Sequence, residues 1–390
     1  MIIPKLALRN LLGAGLRTWL NVVVLSLSFV AIIWTQGVYR GMGDQASQAM
    51  IEAELGGGQY WQPDYDPLDP LTLQDAHGLI PDALQQMIGQ GKATPILITQ
   101  ATIYPNGRMI SIWMKGVDPD QNIISLPSYF LKADSDEIPA LIGSRMAKST
   151  GLKVGDRVTV RWRDAQGTFD ARDVTIAQVM RTNVQTIDQG QIWIPIKNMQ
   201  ELTLMENEAS LAVISKDAVG DRNIAGWEFK DLGFLLQDVK ALVQSKSIGA
   251  SILYVVLIAL AMLAIFNTQV LSIFRRKKEM GTLMALGLTR FQVIKLFTLE
   301  GALHGILAAI VAAIYGLPLL IWFSKTGWAM PGPVDSYGFA LGEKLFPTYS
   351  AGLVLGTTIL VLVITTIVSF LPTRKIAKLK PTEALRGRIS

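Results

Sequence analysis

Four long stretches of this chain contain no Asp, Glu, Lys or Arg, and they limit what it can become. They are residues 19–38, 248–274, 301–323 and 349–371. About 20 apolar residues in a helix cross a hydrocarbon core. There, every backbone polar group needs a partner inside its own helix or in a closed barrel. Each stretch therefore predicts a membrane-crossing helix. Composition agrees, with 17% charged residues among 390 against about 25% in ordinary soluble chains. The first stretch is expected to remain as an anchor. It is long, and the "TQGVYRG" at its end offers no small-x-small cleavage site.

Charge gives the expected topology. Residues 43–247 hold 18 Lys+Arg and 26 Asp+Glu, a net of −8, whereas the rest of the chain has 18 and 5, a net of +13. The cations gather beside the apolar stretches. Lys5, Arg9 and Arg17 precede the first, Arg275 to Lys278, Arg290 and Lys295 follow the second, and Arg374, Lys375, Lys378, Lys380, Arg386 and Arg388 follow the fourth. Loops rich in Lys and Arg stay cytoplasmic, so both termini are expected there and the acidic region outside.

The expected fold class is an α-helical membrane protein with four transmembrane helices, arranged 1+3, and a large mixed α/β extracytoplasmic domain inserted between the first and second. The boundaries are 1–18 for an amphipathic cytoplasmic lead-in, 19–42 for helix 1 and 43–247 for the outer domain. Helix 2 takes 248–274, a cytoplasmic loop 275–292 and helix 3 293–323. A short outer loop takes 324–346, helix 4 347–371 and the cytoplasmic tail 372–390.

Within the outer domain, residues 139–152 show helical spacing through Leu141, Ile142, Met146 and Ala147, ending near Gly151. "KVGDRVTVRW" alternates Val154, Val158 and Val160 around a Gly155-Asp156 turn, as a strand does. "ARDVTIAQVM", "QIWIPI" and "SLAVISKDA" predict further strands, and "FLLQDVKALVQSKS" predicts a helix running into the second span. "GGGQYWQPDYDPLDP" reads as a loop. Its Asp64, Asp66 and Asp69 lack EF-hand spacing and are expected to be solvated turn residues.

Catalytic and metal chemistry have little to work with. The chain has no Cys and two histidines, His77 and His304, which excludes most zinc sites. "GQGKAT" at residues 89–94 lacks the first Walker glycine and the Ser/Thr after lysine. No metal, no bound cofactor, no nucleic-acid surface and no enzymatic activity are expected of this chain. Glu300 and His304 share a helix face four residues apart, and packing near the membrane boundary accounts for them as well as a proton-handling role does. Asn267, Thr268, Gln269, Thr357, Thr358, Thr365 and Thr366 are expected to serve helix packing.

"RRKKEMGTLMALGLTR", residues 275–290, is too short and charged to span. On a helix, Met280, Leu283, Met284 and Gly287 share one face, with Leu286 beside it. Gly281 and Gly287 weaken a helix by about 1 kcal/mol each, and their presence suggests close approach to another backbone. The apolar face has three possible destinations: lipid, the protein's own bundle, or a groove on a cytoplasmic partner.

The longer stretch "RRKKEMGTLMALGLTRFQVIKLFTLEG" resembles the cytoplasmic signature of FtsX/MacB-type ABC transporter permeases. The matching residues are Arg275, Arg276, Glu279, Met280, Gly281, Leu283, Ala285, Leu286, Gly287, Arg290, Glu300 and Gly301, with Thr289 and Lys277-Lys278 as departures. "LALRNLLGAGLRTWLNVVVLSLSFVA" is similar to the family's lead-in. "LPTRKIAKLKPTEALRG", with Pro372, Ala377, Pro381, Ala384, Leu385 and Arg386, resembles its tail, and "GSRMAKSTGLKVGDRVTV" a piece of its outer domain.

The resemblance implies a mechanotransmission permease of the bacterial inner membrane, with its large domain periplasmic. It would dimerise with a second permease, identical or different, and bind a separate ABC ATPase dimer that carries the ATP and Mg. The ATPase-coupling residues would be Arg275, Arg276, Glu279, Met280, Gly281, Leu283, Met284, Leu286 and Gly287. Domain size is most like the lipoprotein-releasing permeases. Macrolide-type efflux with an adaptor and division-type control of cell-wall hydrolases are alternatives within the family, so a periplasmic carrier, adaptor or hydrolase is an implied partner. A membrane receptor or scaffold without an ATPase is the alternative outside it. In a lipoprotein releaser, acyl chains would enter between the first two spans, near Val30, Trp34, Val38, Leu253 and Leu257.

Overall fold

A computed structural model describes residues 15–69, 72, 75–132, 137–218, 223–329, 342 and 344–374. Most of the lead-in, with Lys5 and Arg9, and most of the tail signature, Ala377, Pro381, Ala384, Leu385 and Arg386, lie outside the described residues.

The chain begins with α1 (Leu16–Met50), which passes into a π-helical turn at Ile51–Leu55. There follow β1 (Gln59–Trp61), β2 (Gly78–Leu79), α2 (Asp82–Gly89), β3 (Ala93–Ile103), β4 (Ile110–Val117), β5 (Ile138–Gly143), α3 (Ser144–Thr150), β6 (Arg157–Arg163) and β7 (Phe169–Met180). Next come α4 (Gln185–Asp188), β8 (Gln191–Pro195), α5 (Ile196–Thr203), β9 (Glu208–Ala209), β10 (Leu211–Ile214), β11 (Asn223–Ile224), β12 (Trp227–Lys230) and α6 (Leu232–Leu235). The last elements are α7 (Gln237–Arg275), α8 (Lys277–Ala285), α9 (Arg290–Thr326), β13 (Trp328–Ala329), β14 (Lys344–Leu345) and α10 (Ala351–Thr373). They form two compact units. One is Gly43–Ala241 with Met330–Lys344, and the other is Met1–Met42, Leu242–Ala329 and Leu345–Ser390.

The first unit is built on a ten-stranded sheet, ordered β11-β12-β1-β10-β3-β4-β8-β5-β7-β6. Its 11-residue strand β3 is shared. Residues 93–96 pair with β10, and Ala101–Ile103 pair with β6. The β3–β6 pairing closes β3, β4, β8, β5, β7 and β6 into a ring, so those strands have no free edge. Inside lie the alternating Val158, Val160 and Trp162 of β6, with Ile112 and Met114 of β4 and Ile192 and Ile194 of β8.

Residues 139–152 divide into β5 and α3 and are not the single helix their spacing suggests. All six β5 residues are buried, between parallel β7 and antiparallel β8. A strand buried on both faces shows no period-2 alternation, and so its apolar run mimics other structure. The carboxylate of Asp188 then accepts from the backbone N–H groups of Ser144 (2.6 Å) and Arg145 (3.1 Å) at the start of α3.

The glycine-rich loop reading needs a second correction. Gln59–Trp61 is a strand, and Tyr60 is fully buried. Gly56, Gly57 and Gly58 allow this. A Cβ on them would meet Ile214 O at 2.4 Å, Ser215 O at 2.4 Å and the Phe229 ring at 2.9 Å. After β1 the chain does turn: Asp66 Oδ1 accepts from Leu68 N at 2.8 Å. Among the described residues no cluster of His, Asp and Glu could hold a metal.

The second unit is a bundle of α1, α7, α9 and α10, each containing a segment long and apolar enough to cross a membrane. The chain therefore combines four candidate membrane helices with a mixed α/β domain. Half of the most apolar window of α1 is buried, against 11% of that of α7, so α1 is the central helix. Its Val22, Leu25, Phe29 and Val30 pack with Ala261 and Ile265 of α7, Ala308 and Ala312 of α9, and Val361 of α10. Between membrane helices there is little hydrophobic drive, and close packing and polar contacts matter instead. Asn21 Nδ2 donates to Thr268 Oγ1 (2.7 Å), Thr357 Oγ1 to Gln36 Oε1 (3.1 Å), and Thr298 and Thr373 share a bond of 3.2 Å. Thr358, Thr365 and Thr366 instead donate to the carbonyls four residues back in their own helix. A small-residue row on α9 meets its neighbours closely. A Cβ on Gly301 would lie 2.1 Å from Ser369 Oγ, on Gly305 3.0 Å from Leu362, and on Gly316 2.6 Å from Val30.

Candidate functional site

The signature stretch folds as an elbow of α7, α8 and α9. The helical run is interrupted at Arg276 (φ −99°, ψ 18°), and α8 follows. It ends in a Schellman turn, with Gly287 N bonded to Met284 O (3.2 Å) and Leu288 N to Leu283 O (3.1 Å). Gly287 sits at φ +102° with nothing within 4 Å of where a Cβ would stand. Its glycine therefore serves conformation and not the close approach expected from the sequence. Gly287→Ala is expected to cost about 1–3 kcal/mol, with Gly287→Asn costing less. A thermal melt of the solubilised protein measures both, and equal melting of the alanine variant and parent would contradict it.

Thr289, a departure from the family pattern, has a local reason. Its hydroxyl accepts from Gln292 N (3.3 Å) while Gln292 Oε1 accepts from Thr289 N (2.8 Å). This capping box starts α9. The Thr-x-x-Gln spacing was there to be read in the sequence.

The coupling residues divide by exposure. Met280 is fully buried among Ile273, Val293 and Phe297, and Met284 packs at the edge of that socket. Both are taken up by the protein's own bundle, so the whole predicted apolar face is not free for a partner. Gly281 is also buried, and Leu283 is half-buried. Arg275, Glu279 and Gly287 are exposed, and Leu286 and Phe291 are 75% and 71% exposed.

Arg276 points inward. Its Nε donates to Glu279 Oε2 at 2.6 Å, its Nη1 to both Glu300 carboxylate oxygens at 3.2 Å, and its guanidinium lies 5.1 Å from the Phe297 ring centre. Glu300 thus pairs with Arg276, and His304 approaches only the Glu300 carbonyl, Nδ1 at 2.9 Å. The sequence reading had both acids and the arginine, but 24 residues separate Arg276 from Glu300 and no helical spacing links them.

The predicted acyl-chain positions are not brought together. Val30 meets Gly316 of α9, and Trp34 stacks near Phe323 (6.1 Å) and Trp328 (5.4 Å). Those two side chains face α9 because α1 is surrounded by the bundle. Val38 is buried, Leu257 half-buried and Leu253 51% exposed. The cleft that does open between α1 and α7, of about 360 Å³, is lined by Gln36, Tyr39, Arg40, Val243, Ser247, Ser251 and Tyr254. Polar and apolar groups share its walls, and none of the five predicted residues lines it.

Residues 251–381, which include the whole elbow and α9, match the FtsX-like permease C-terminal family. The C-terminal third of the chain is thus an FtsX-like permease domain. It is 24% identical over 310 residues to the lipoprotein-releasing system transmembrane protein LolC of Xylella fastidiosa, covering 70% of this chain and 72% of that one. With LolC of Neisseria meningitidis it shares 21% over 339 residues, 75% and 77% of the two chains. An uncharacterised ABC transporter permease of Methanocaldococcus jannaschii is 23% identical over 272 residues, 65% of this permease and 63%, less than two thirds, of the archaeal one. The extracellular domain of YknZ, a noncanonic ABC-type transporter from Gram-positive bacteria, superposes at a TM-score of 0.26 and 15% identity, over 47% of this chain and 94% of that one.

Proposed function

We propose that this permease couples ATP hydrolysis on a separate ABC ATPase to movement of its helices, and that its cargo is an acylated protein taken from the inner membrane. The exposed apolar tip of the elbow, Leu286 at 75% exposure beside a Schellman turn, carries the coupling part of this reading. A large apolar side chain held outward on a rigid turn between basic groups suits a groove on a partner better than water. The lysines and arginines around the elbow support a cytoplasmic elbow and termini, with the acidic domain in the periplasm. The 1+3 arrangement, a domain inserted after the first span, and pairing with a second permease belong to the same reading. The likeness to lipoprotein-releasing permeases supports the cargo class.

The one Gly-Lys stretch lacks the Walker pattern, and in this reading ATP and Mg are held by the ATPase. The permease residues would receive force at α8 and hold cargo. The cleft at Tyr39, Arg40, Ser247 and Ser251, which offers both polar and apolar walls, would take the hydrogen-bonding linker next to the acyl chains. Leu283→Glu combined with Leu286→Glu puts two carboxylates on the proposed contact. The expected result is at least roughly tenfold weaker ATPase co-purification, since buried hydrophobic anchors dominate such contacts at 2 kcal/mol or more each, with normal membrane insertion. Undiminished ATPase binding would remove α8 from the coupling role.

A further inference from the structure

We propose that Arg276 is a positioning residue that locks α8 to α9, so that a push on α8 is delivered into α9 and not absorbed at the elbow. This rests on the ATPase-coupling reading above and adds a direction to it: the force enters the bundle through α9, with α7 as the hinged side.

Helix α8 has a non-helical residue at each end, Arg276 and Gly287. Nine residues hung between two such joints would be a loose lever, because each joint can absorb displacement before anything behind it moves. Two contacts remove that slack, and both reach α9. Met280 is seated among Val293 and Phe297 of α9 and Ile273 of α7. The Arg276 guanidinium, at the joint itself, spans from Glu279 on α8 to Glu300 on α9 and lies over Phe297. Glu300 is almost fully buried, its side chain 7% exposed. A charged hydrogen-bonded pair there resists separation, since parting it removes a guanidinium from a buried carboxylate. A planar guanidinium also fixes orientation in a way a point charge does not.

The α9 end of this lock is itself tied onward. Thr298, two residues before Glu300, bonds Thr373 of α10, and Gly301, the next residue, lies against Ser369 of α10. Three positions within one turn of α9, Thr298, Glu300 and Gly301, thus connect the elbow to α10. On the other side, α7 meets α9 where the Gln269 amide packs at Gly301. From α7, α8 receives covalent continuity through the Arg276 joint and the side chain of Ile273 in the Met280 cluster.

The chain has no cysteine, so introduced ones report alone. Thr282 on α8, Lys295 on α9 and Leu271 on α7 are all exposed. Spin labels at 282/295 and 271/295 are measured in the permease–ATPase complex in lipid nanodiscs, without nucleotide and with a non-hydrolysable ATP analogue and Mg. The expected result is a 282/295 distance that does not change and a 271/295 distance that does. In the complex that forms, Arg276→Gln should broaden the 282/295 distribution and shrink the 271/295 change. Arg276→Lys should restore little of it, and the exchange Arg276→Glu with Glu300→Arg should restore more. A 282/295 distance that shifts in the parent, or an Arg276→Gln variant indistinguishable from it, overturns the lock. If the parent permease retains no ATPase, the coupling reading fails on its own, before any distance is measured.

Discussion

Gly301→Leu is expected to leave almost no folded permease in the membrane, and Gly301→Ala to melt clearly below the parent. A Cβ at this position would stand 2.1 Å from Ser369 Oγ, 2.3 Å from Ser369 Cβ and 2.9 Å from Gln269 Nε2. A hydroxyl can rotate away, but Ser369 Cβ is fixed to the backbone of α10, so the two helices must separate. Overpacking of this kind costs about 1–3 kcal/mol. Alanine's better helix propensity returns about 1 kcal/mol, so the net loss for alanine is modest and for leucine severe. Separation would also stretch the Thr298–Thr373 bond and withdraw the small-residue row that lets α9 approach α10. Detergent-solubilised protein followed by fluorescence size-exclusion chromatography after heating reads the effect. Ser369→Gly should recover part of the loss in Gly301→Ala, because it removes the atoms in the way. An alanine variant as stable as the parent would mean that α9 and α10 are not held this closely.

The second large effect is expected at Glu54→Ala in the sheet-bearing unit. Glu54 belongs to the π-helical turn after α1, and its Oε1 accepts from Lys115 Nζ at 2.6 Å. Lys115 lies on β4, its side chain only 7% exposed, with its ammonium 5.0 Å from the centre of the Trp193 ring. Removing the carboxylate strands a buried ammonium, which costs about 3–5 kcal/mol. The extra residue of a π-turn re-aims the side chains around it, and here it brings a helix-borne acid to a strand-borne lysine. Pairing Glu54→Leu with Lys115→Met removes both charges and should restore most of the stability, since apolar replacements of a buried pair are often neutral or better. Urea unfolding followed by tryptophan fluorescence distinguishes these cases. A single Glu54→Ala variant within about 0.5 kcal/mol of the parent, the scatter of ordinary surface changes, would show that Lys115 finds water or another partner.

What was legible along the chain depended on the range of the cause. The apolar stretches were readable because a membrane helix satisfies its backbone locally, so length and composition suffice. The strands β6, β7, β8 and β10 were readable from alternation or β-branched content. β5 was misread because burial on both faces erases alternation. β3 and β4 drew no attention, although β3 is 11 residues long and touches β4, β6 and β10. Pro95 within it reads against a central strand, yet pairs opposite Ala212 of β10. In the elbow, the residue list was legible from its resemblance, but its division into an inward Arg276 and Met280 and an outward Leu286 was not. That division follows from how α8 rests on α9.

By itself, the sequence determined that this chain carries four membrane-capable helices, a water-facing α/β portion and a charged elbow between the second and third of those helices. These follow from period, composition and short motifs, all of which act over a few turns. Only the tertiary structure decided that β3 closes a ring with β6, that α1 is the central helix, and that Arg276 reaches Glu300. It also decided which residues line the cleft between α1 and α7. Each of those joins residues tens to hundreds of positions apart, where the choice of partner is made by packing and by the cost of an unpaired buried group, and no local pattern records it.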